Sequence, residues 1–201
     1  MAGVAWWFSN RERKDDRDAA DKRAQTEREI ATDRLQEAAL QGYYDKMTEL
    51  LLEKNLRDAA EGEEVISIAR SKTLATLRSL DGNRKGLLIK FIYETHLIDK
   101  ERTIIDLEHA DLKDASLSLA DLRNANLGYT NLGNANLRRA DLSGAKLSDA
   151  MLRRADLLGA ELSRAELSEA NLNEANLSGA KLSGAKLVDA DLLKTNLLGA
   201  D

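Results

Sequence analysis

Ala110-Asp111-Leu112-Lys113-Asp114-Ala115-Ser116-Leu117-Ser118-Leu119-Ala120-Asp121-Leu122-Arg123-Asn124 decides the fold, because the same five-residue unit continues to residue 201. From Leu107 to Leu197 every fifth residue is Leu, nineteen in succession. Two residues before each Leu sits a small residue: of the twenty such positions from Ile105 to Ala200, seventeen are Ala, Thr130 and Thr195 are Thr, and Ile105 is the exception. A period of five suits neither regular element. On a helix, steps of five advance about 140° beyond a full turn, so the leucines would spiral over every face. On a flat strand an odd period flips sides at each repeat. All nineteen point inward only if the chain bends once per repeat. Four bends close a square, and twenty residues then make one coil. Coils stack as parallel strands about 4.8 Å apart. Leu fills the interior and Ala lines the corners. Residues 105–201 make nearly five coils, a rod roughly 23 Å long at that spacing, stable only as a cooperative stack.

Ala110-Asp111-Leu112, Ala125-Asn126-Leu127, Ala140-Asp141-Leu142 and Ala175-Asn176-Leu177 resemble the A-[DN]-L-x-x unit of pentapeptide-repeat proteins. The resemblance covers nearly half the chain and implies a right-handed quadrilateral β-helix. With the helices that precede it, the fold class expected is α+β. The segment Asp81-Gly82-Asn83-Arg84-Lys85-Gly86-Leu87 after a helical half is similar to the N-terminal region of bacterial, notably cyanobacterial, members, many of which begin with a membrane anchor. The departures from the family pattern fall at the second repeat position, where Lys146, Met151, Glu161, Glu166, Lys181 and Lys186 replace Asp or Asn. That position faces outward, so the fold tolerates them.

Residues twenty apart lie above one another, which sorts the outward residues into four faces. The face of repeats 105, 125, 145, 165 and 185 is net −4, with Asp149, Glu169 and Asp189 in one column. Stacked like charges repel, so this column reads either as a cation or basic-partner site or as a solvated face moderated by Lys146 and Lys186. The face of repeats 115, 135, 155, 175 and 195 carries only Arg138, Arg139 and Asp156 as charges, with Leu119, Leu158 and Leu198 outward. A low-charge face with exposed Leu suits protein contact. Val188, Leu193 and Leu198 point outward near residue 201, and are expected to pack against another chain, most simply a second copy.

The preceding half is helical. Residues 10 to about 58 lack Pro and are rich in strong helix formers. From 11 to 36 the charge runs almost all round, leaving a thin stripe of Ala20, Ala24, Ala31 and Leu35. Such a helix is a solvated stalk or one strand of a weak coiled coil, a second route to a homo-oligomer. Leu40, Tyr43, Tyr44, Met47, Leu50 and Leu51 then present one apolar face. Ala59–Glu64 reads as a turn, Val65–Leu80 as a second helix, and Leu87–Leu97 as a third after a stop and restart at Asp81-Gly82-Asn83. The domain organisation expected is 1–36 apolar tip and stalk, 37–104 helical domain, 105–201 repeats. Gly82-Asn83-Arg84-Lys85-Gly86 lacks the spacing and preceding strand of a phosphate loop and reads as an inter-helix turn.

Composition excludes much chemistry. There is no Cys, so no disulfide, zinc-thiolate site or thiol nucleophile, and only two His, His96 and His109, neither in ligand spacing. Both read as surface or boundary residues. No cofactor or metal and no enzymatic activity is expected. Asn176-Leu177-Ser178 matches a glycosylation sequon, but its Leu belongs in the core. The tip Trp6-Trp7-Phe8, followed by Arg11, Arg13 and Lys14, is too short to span a bilayer. It fits a membrane–water interface, as the cytoplasmic end of a transmembrane helix or as a weak interfacial anchor, with the rest of the chain cytoplasmic; the other reading is a disordered or partner-packed tip. The function expected is therefore a non-enzymatic scaffold that displays a rigid rod to a protein partner near a membrane. The family resemblance offers an alternative, because some members mimic DNA and act on type II topoisomerases. With fifteen acids and eleven bases in the repeats, the rod is a poor phosphate mimic, and the acidic balance also argues against nucleic-acid binding.

Overall fold

The computed structural model describes residues 2–60, 62–98 and 103–201, with side chains from residue 17 onward. It forms two compact units, Met1–Ala38 and Ala39–Asp201. Helix α1 (Ala2–Leu52) begins in the first. There its surface is exposed almost all round, with short-range bonds such as Gln25 Nε2 to Glu29 Oε1 (2.9 Å) along it. The helix stops six residues before the sequence suggests. Asn55 takes a left-handed φ of 48°, a conformation Asn tolerates better than most residues, and the Leu56 N–H turns back to the Leu50 carbonyl (3.0 Å).

In the second unit the end of α1, α2 (Glu64–Ser79) and α3 (Gly82–Glu94) surround a core of Leu40, Tyr43, Met47, Leu50, Leu77, Leu88 and Ile92. Tyr43 is buried, and its hydroxyl shares a 3.0 Å hydrogen bond with Thr73, which satisfies both polar groups. Burial drives the Tyr43 phenol well above its usual pKa, so it stays neutral. α3 starts where Asp81 caps it, its carboxylate accepting from the Asn83 and Arg84 N–H groups (2.9 and 3.0 Å). The Gly82–Gly86 segment is thus the first turns of a helix.

Residues from 105 onward coil with a pitch of twenty residues. Fourteen parallel bridges join residue i to i+20, from Asp111↔Asn131 to Asn176↔Asn196. Among the described residues these stay isolated bridges and never lengthen into strands. The reason is the turn that interrupts each repeat: only the second position of each unit lies in a bridge. Each turn runs from a Leu carbonyl to the N–H of the next Ala, as in Ala115 N to Leu112 O (3.1 Å).

The third residue of every turn, from 109 to 199, has positive φ, nineteen in a row. Such a turn requires the left-handed region at that place. Gly144, Gly159, Gly179, Gly184 and Gly199 occupy five of these positions, and side chains as large as Tyr129 and Arg154 occupy others. The second-position Asp and Asn serve the same turn. Asp111 Oδ1 accepts from the Lys113 N–H (3.1 Å), Asp141 from Ser143 (3.0 Å) and Asn171 from Asn173 (3.1 Å). These are local side-chain-to-backbone bonds of the kind Asp and Asn favour.

Met151 occupies a second position without such a bond and is about half exposed. Met151→Asn is expected to raise stability by about 0.5–1.5 kcal/mol, read as a higher urea midpoint. An unchanged or lower midpoint would remove the turn bond as the reason for Asp and Asn at this position.

Inside the coils, Leu107 through Leu177 are buried at every step of five. The expectation that all nineteen leucines are enclosed fails in the last coil. Leu182 and Leu187 are half-buried, while Leu192 and Leu197 are 36% and 43% exposed, since no further coil of the described chain stacks on them. Thr130 replaces Ala without an unsatisfied group, because its Oγ1 donates to the Leu107 carbonyl (3.1 Å). Thr195 does the same to Leu172 (2.8 Å).

Candidate interaction surfaces

The low-charge face is only partly as the sequence suggests. Leu119 and Leu198 are 73% and 77% exposed, but Leu158 is half-buried. Leu158 directly follows a core Leu, and its N–H is tied to Asp156 Oδ1 (3.2 Å). Arg138 is engaged by the one acid of the face, Nη1 to Asp156 Oδ2 at 2.9 Å. Arg139 sits in the left-handed turn position, and its Cγ lies 3.6 Å from where a Cβ on Gly159 would be. A Cβ there would make only ordinary contact with the Arg139 stem, and Gly159, Gly179 and Gly199 form a column without side chains on this face.

The acidic face carries an aromatic stack that the sequence reading missed. The rings of His109 and Tyr129, one coil apart, stack with centroids 5.0 Å apart and planes 22° from parallel. Asp149, Glu169 and Asp189 continue the column in the same backbone conformation. The Asp149 charge and its hydrogen bond raise the Tyr129 pKa, with smaller contributions from burial, Glu108 and Glu169. Lys186 Nζ meets Glu166 Oε1 at 3.1 Å. Among the described residues no group of three or more His, Cys, Asp or Glu is arranged to hold a metal ion, so the cation reading of this column gains no support.

Val188, Leu193 and Leu198 are exposed near the end of the described chain, as their outward slots require. Trp6, Trp7 and Phe8 fall within α1, and their side chains lie outside those described.

The opposite end of the rod is covered by helices, and the fit is close. The Ser116 N–H on the first coil donates to the Gly82 carbonyl (2.8 Å). A Cβ on Gly82 would lie 2.0 Å from the Asp114 carbonyl oxygen, and one on Gly86 2.2 Å from that of Ser116. Lys85, between them, is buried and donates to the Lys113 carbonyl (3.0 Å) with Asp111 Oδ2 at 3.4 Å. Arg70 of α2 reaches the Asp106 and Glu108 carbonyls, each at 3.2 Å. An open coil end exposes unpaired backbone groups, and these donors occupy several of them.

At the rim, the Tyr93 hydroxyl donates to Asp121, and Arg123 joins both. Its Nη2 is 3.2 Å from the Tyr93 oxygen, and its Nε is 3.7 Å from Asp141 Oδ2 on the next coil. Desolvation alone would raise the Asp121 pKa. The hydrogen bonds from Arg123 and Tyr93 outweigh it and hold the carboxyl below its usual range. Arg123 thereby also screens two stacked aspartates from each other. Beside this network, α3 and residues 116–121 enclose a mostly apolar groove of about 660 Å³, with Leu87 and Leu119 exposed at its edge.

Among solved structures this chain is similar to two described as pentapeptide repeat proteins and to a resistance protein. A pentapeptide repeat protein from the Arabidopsis thaliana thylakoid lumen is 32% identical over 47% of this chain and 59% of its own, with a TM-score of 0.33. One from Nostoc is 34% identical over 50% of this chain and 74% of its own, TM-score 0.40. A plasmid-mediated fluoroquinolone resistance protein is 21% identical over 48% of this chain and 65% of its own, TM-score 0.29. The chain thus spans under two thirds of the Arabidopsis and resistance proteins. No curated protein sequence matches it. The family model for pentapeptide repeats matches in eight copies, over residues 105–139, 120–159, 140–179 and 170–201. With a twenty-residue pitch, a filled aliphatic interior and A-x-L units throughout, the chain belongs to the pentapeptide-repeat family.

Proposed function

We propose that this chain is a non-enzymatic scaffold that presents a stiff repeat rod to a protein partner, held near the cytoplasmic face of a membrane by its N-terminal helix. The low-charge face carries the reading: Leu119 and Leu198 stand exposed on it, Arg138 is neutralised by Asp156, and the glycine column adds no side chains to it. Weakly charged surface with apolar points desolvates cheaply against a protein. The tether rests on Trp6-Trp7-Phe8 followed by Arg11, Arg13 and Lys14, a composition suited to the headgroup region. Among the described residues no helix is long and apolar enough to cross a membrane, so the attachment proposed is interfacial.

Two measurements separate the parts of this reading. The full chain is expected to float with anionic lipid vesicles, and Trp6→Ala/Trp7→Ala/Phe8→Ala to stay at the bottom of the gradient. Equal flotation of both would refute the tether. For the rod, Arg139→Glu/Leu198→Glu should lose discrete co-purifying proteins that the parent retains, with unchanged melting. An identical set would refute the face. The topoisomerase alternative needs continuous negative charge, and Lys181 and Lys186 neutralise Glu161 and Glu166 (2.6 and 3.1 Å). DNA gyrase supercoiling is expected to be unaffected.

A further inference from the structure

Two residues on the face of repeats 110, 130, 150 and 170 are not what the coil asks for. Gly133 sits in the fourth place of its unit, where φ is not left-handed. Its N–H makes the usual turn bond to Asn131 Oδ1 (3.1 Å), but Lys113, Ser143 and Asn173 make the same bond with a side chain in that place. Neither the backbone nor the turn therefore requires glycine. Met151, one coil above Asn131, is the second. It has no carboxylate or amide to tie its turn and is 49% exposed. Both residues line one open pocket of about 380 Å³. Gly133 stands between Lys113 and Arg153 in a single column, so a side chain at 133 would project into the space between two cations.

The charges around the pocket do not cancel. Lys113, Arg153 and Arg154 line it and no carboxylate does. Arg153 Nη2 and Arg154 Nε share one partner, the Glu174 carboxylate, at 3.2 and 2.6 Å. Each guanidinium carries five N–H donors, so most of them stay free. The Lys113 ammonium makes no ion pair among the described residues. The nearest aspartates are engaged elsewhere: Asp111 by the Asn131 amide (3.5 Å) and Lys85 (3.4 Å), Asp114 by the Asn134 amide (2.9 Å). Four cations, Lys85, Lys113, Arg153 and Arg154, thus meet three carboxylates, Asp111, Asp114 and Glu174, and one positive charge is left over. A carboxylate complements that charge and matches the fork of a guanidinium. Met151 offers apolar surface beside it for a methylene stem. A single surplus charge and an apolar edge favour a carboxylate on a short stem over a phosphate dianion.

We propose that this pocket docks an acidic segment of a protein partner, with a Glu carboxylate held over Gly133 by Lys113 and Arg153 and its stem against Met151. Met151 then forgoes the turn bond that Asp or Asn would make and supplies a contact surface instead. The pocket lies on the face next to the low-charge one, and it stands or falls independently of that face.

An acetylated, amidated tetraglutamate peptide titrated into the full chain, with amide chemical shifts as the readout, tests the pocket without the native partner. The largest shifts are expected at Gly133 and Asn134, with an affinity about tenfold or more above that for tetraglutamine. Gly133→Asp places a like charge in the pocket and should weaken binding about tenfold at an unchanged melting temperature. Lys113→Glu, at an exposed position, should do the same. Met151→Asn should weaken binding roughly threefold while raising the urea midpoint, a split that a purely structural role for Met151 would not give. Shifts absent from Gly133, or equal for tetraglutamine, overturn the proposal, as does undiminished binding by Gly133→Asp and Lys113→Glu. Equal affinity for inorganic phosphate overturns the choice of a carboxylate peptide. Binding by Met151→Asn that matches the parent overturns the part given to its side chain.

Discussion

Gly86→Ala is expected to destabilise the second unit by roughly 2–3 kcal/mol, although Ala is the better helix former by about 1 kcal/mol. The sign is decided by what the new methyl meets. A Cβ at 86 would lie 2.2 Å from the Ser116 carbonyl oxygen, far inside van der Waals contact. Both sides of the collision are backbone, so no rotamer change relieves it: α3 must lift or the first coil must deform. Lifting α3 would strand Lys85, which is buried with its ammonium on the Lys113 carbonyl. A buried cation without its partner is costly. Gly82→Ala should act likewise, at 2.0 Å from the Asp114 carbonyl. Gly42 on α1 supplies the contrast, with nothing within 4 Å of its added Cβ. Gly42→Ala should stabilise by about 0.5–1 kcal/mol. Urea melts of the three variants read the signs. Destabilised Gly82→Ala and Gly86→Ala should also lose amide-exchange protection at Ser116 first. A Gly86→Ala protein as stable as Gly42→Ala would mean that α3 does not seal the coil.

These two glycines mark where sequence reading stops. The coil was legible because a period of five leaves one way to bury the leucines, and the outward faces follow by counting. The left-handed turn position was available in the same letters: five glycines fall in that one slot. It was hidden because most repeats fill it with Arg, Asp, Glu or Asn, which give no glycine signal. Asp and Asn at the second position read only as outward, whereas each holds the turn two residues on. Leu158 reads as exposed because its slot points away from the core, yet it is half-buried; its backbone tie to Asp156 does not explain this, since Leu198 has the same tie to Asn196 and stays 77% exposed. The helical seal was least legible of all. Gly82, Lys85 and Gly86 meet residues 26 or more positions away, and no local pattern announces a contact at that distance. The segment 82–86 reads as an inter-helix turn but is the start of α3, and its packing role needs the coil in place. The His109–Tyr129 stack had a usable signal, two aromatic rings twenty residues apart.

Leu147→Ala tests whether the rod behaves as one cooperative stack. Leu147 is fully enclosed, with coils above and below it. Removing its branched end leaves a cavity that neighbours fill poorly, because each is held in place by bonds at every coil. Leu147 itself donates its N–H to Glu166 O at 2.6 Å. A loss of about 3–5 kcal/mol is expected. Leu197 holds the same place in its five-residue unit, on another side of the last coil, but is 43% exposed. Leu197→Ala removes less apolar surface from shelter and should cost under about 1.5 kcal/mol. In a stack held by nearest neighbours, the central change should also split the rod's melting, since coils on either side lose a shared interface. Amide exchange would then speed up together for the bridges flanking residue 147, Asn126↔Lys146 and Lys146↔Glu166, while Asn176↔Asn196 responds only to Leu197→Ala. Equal losses from the two substitutions would mean that the interior is not closed around the central leucines, and the filled four-cornered coil would have to be abandoned.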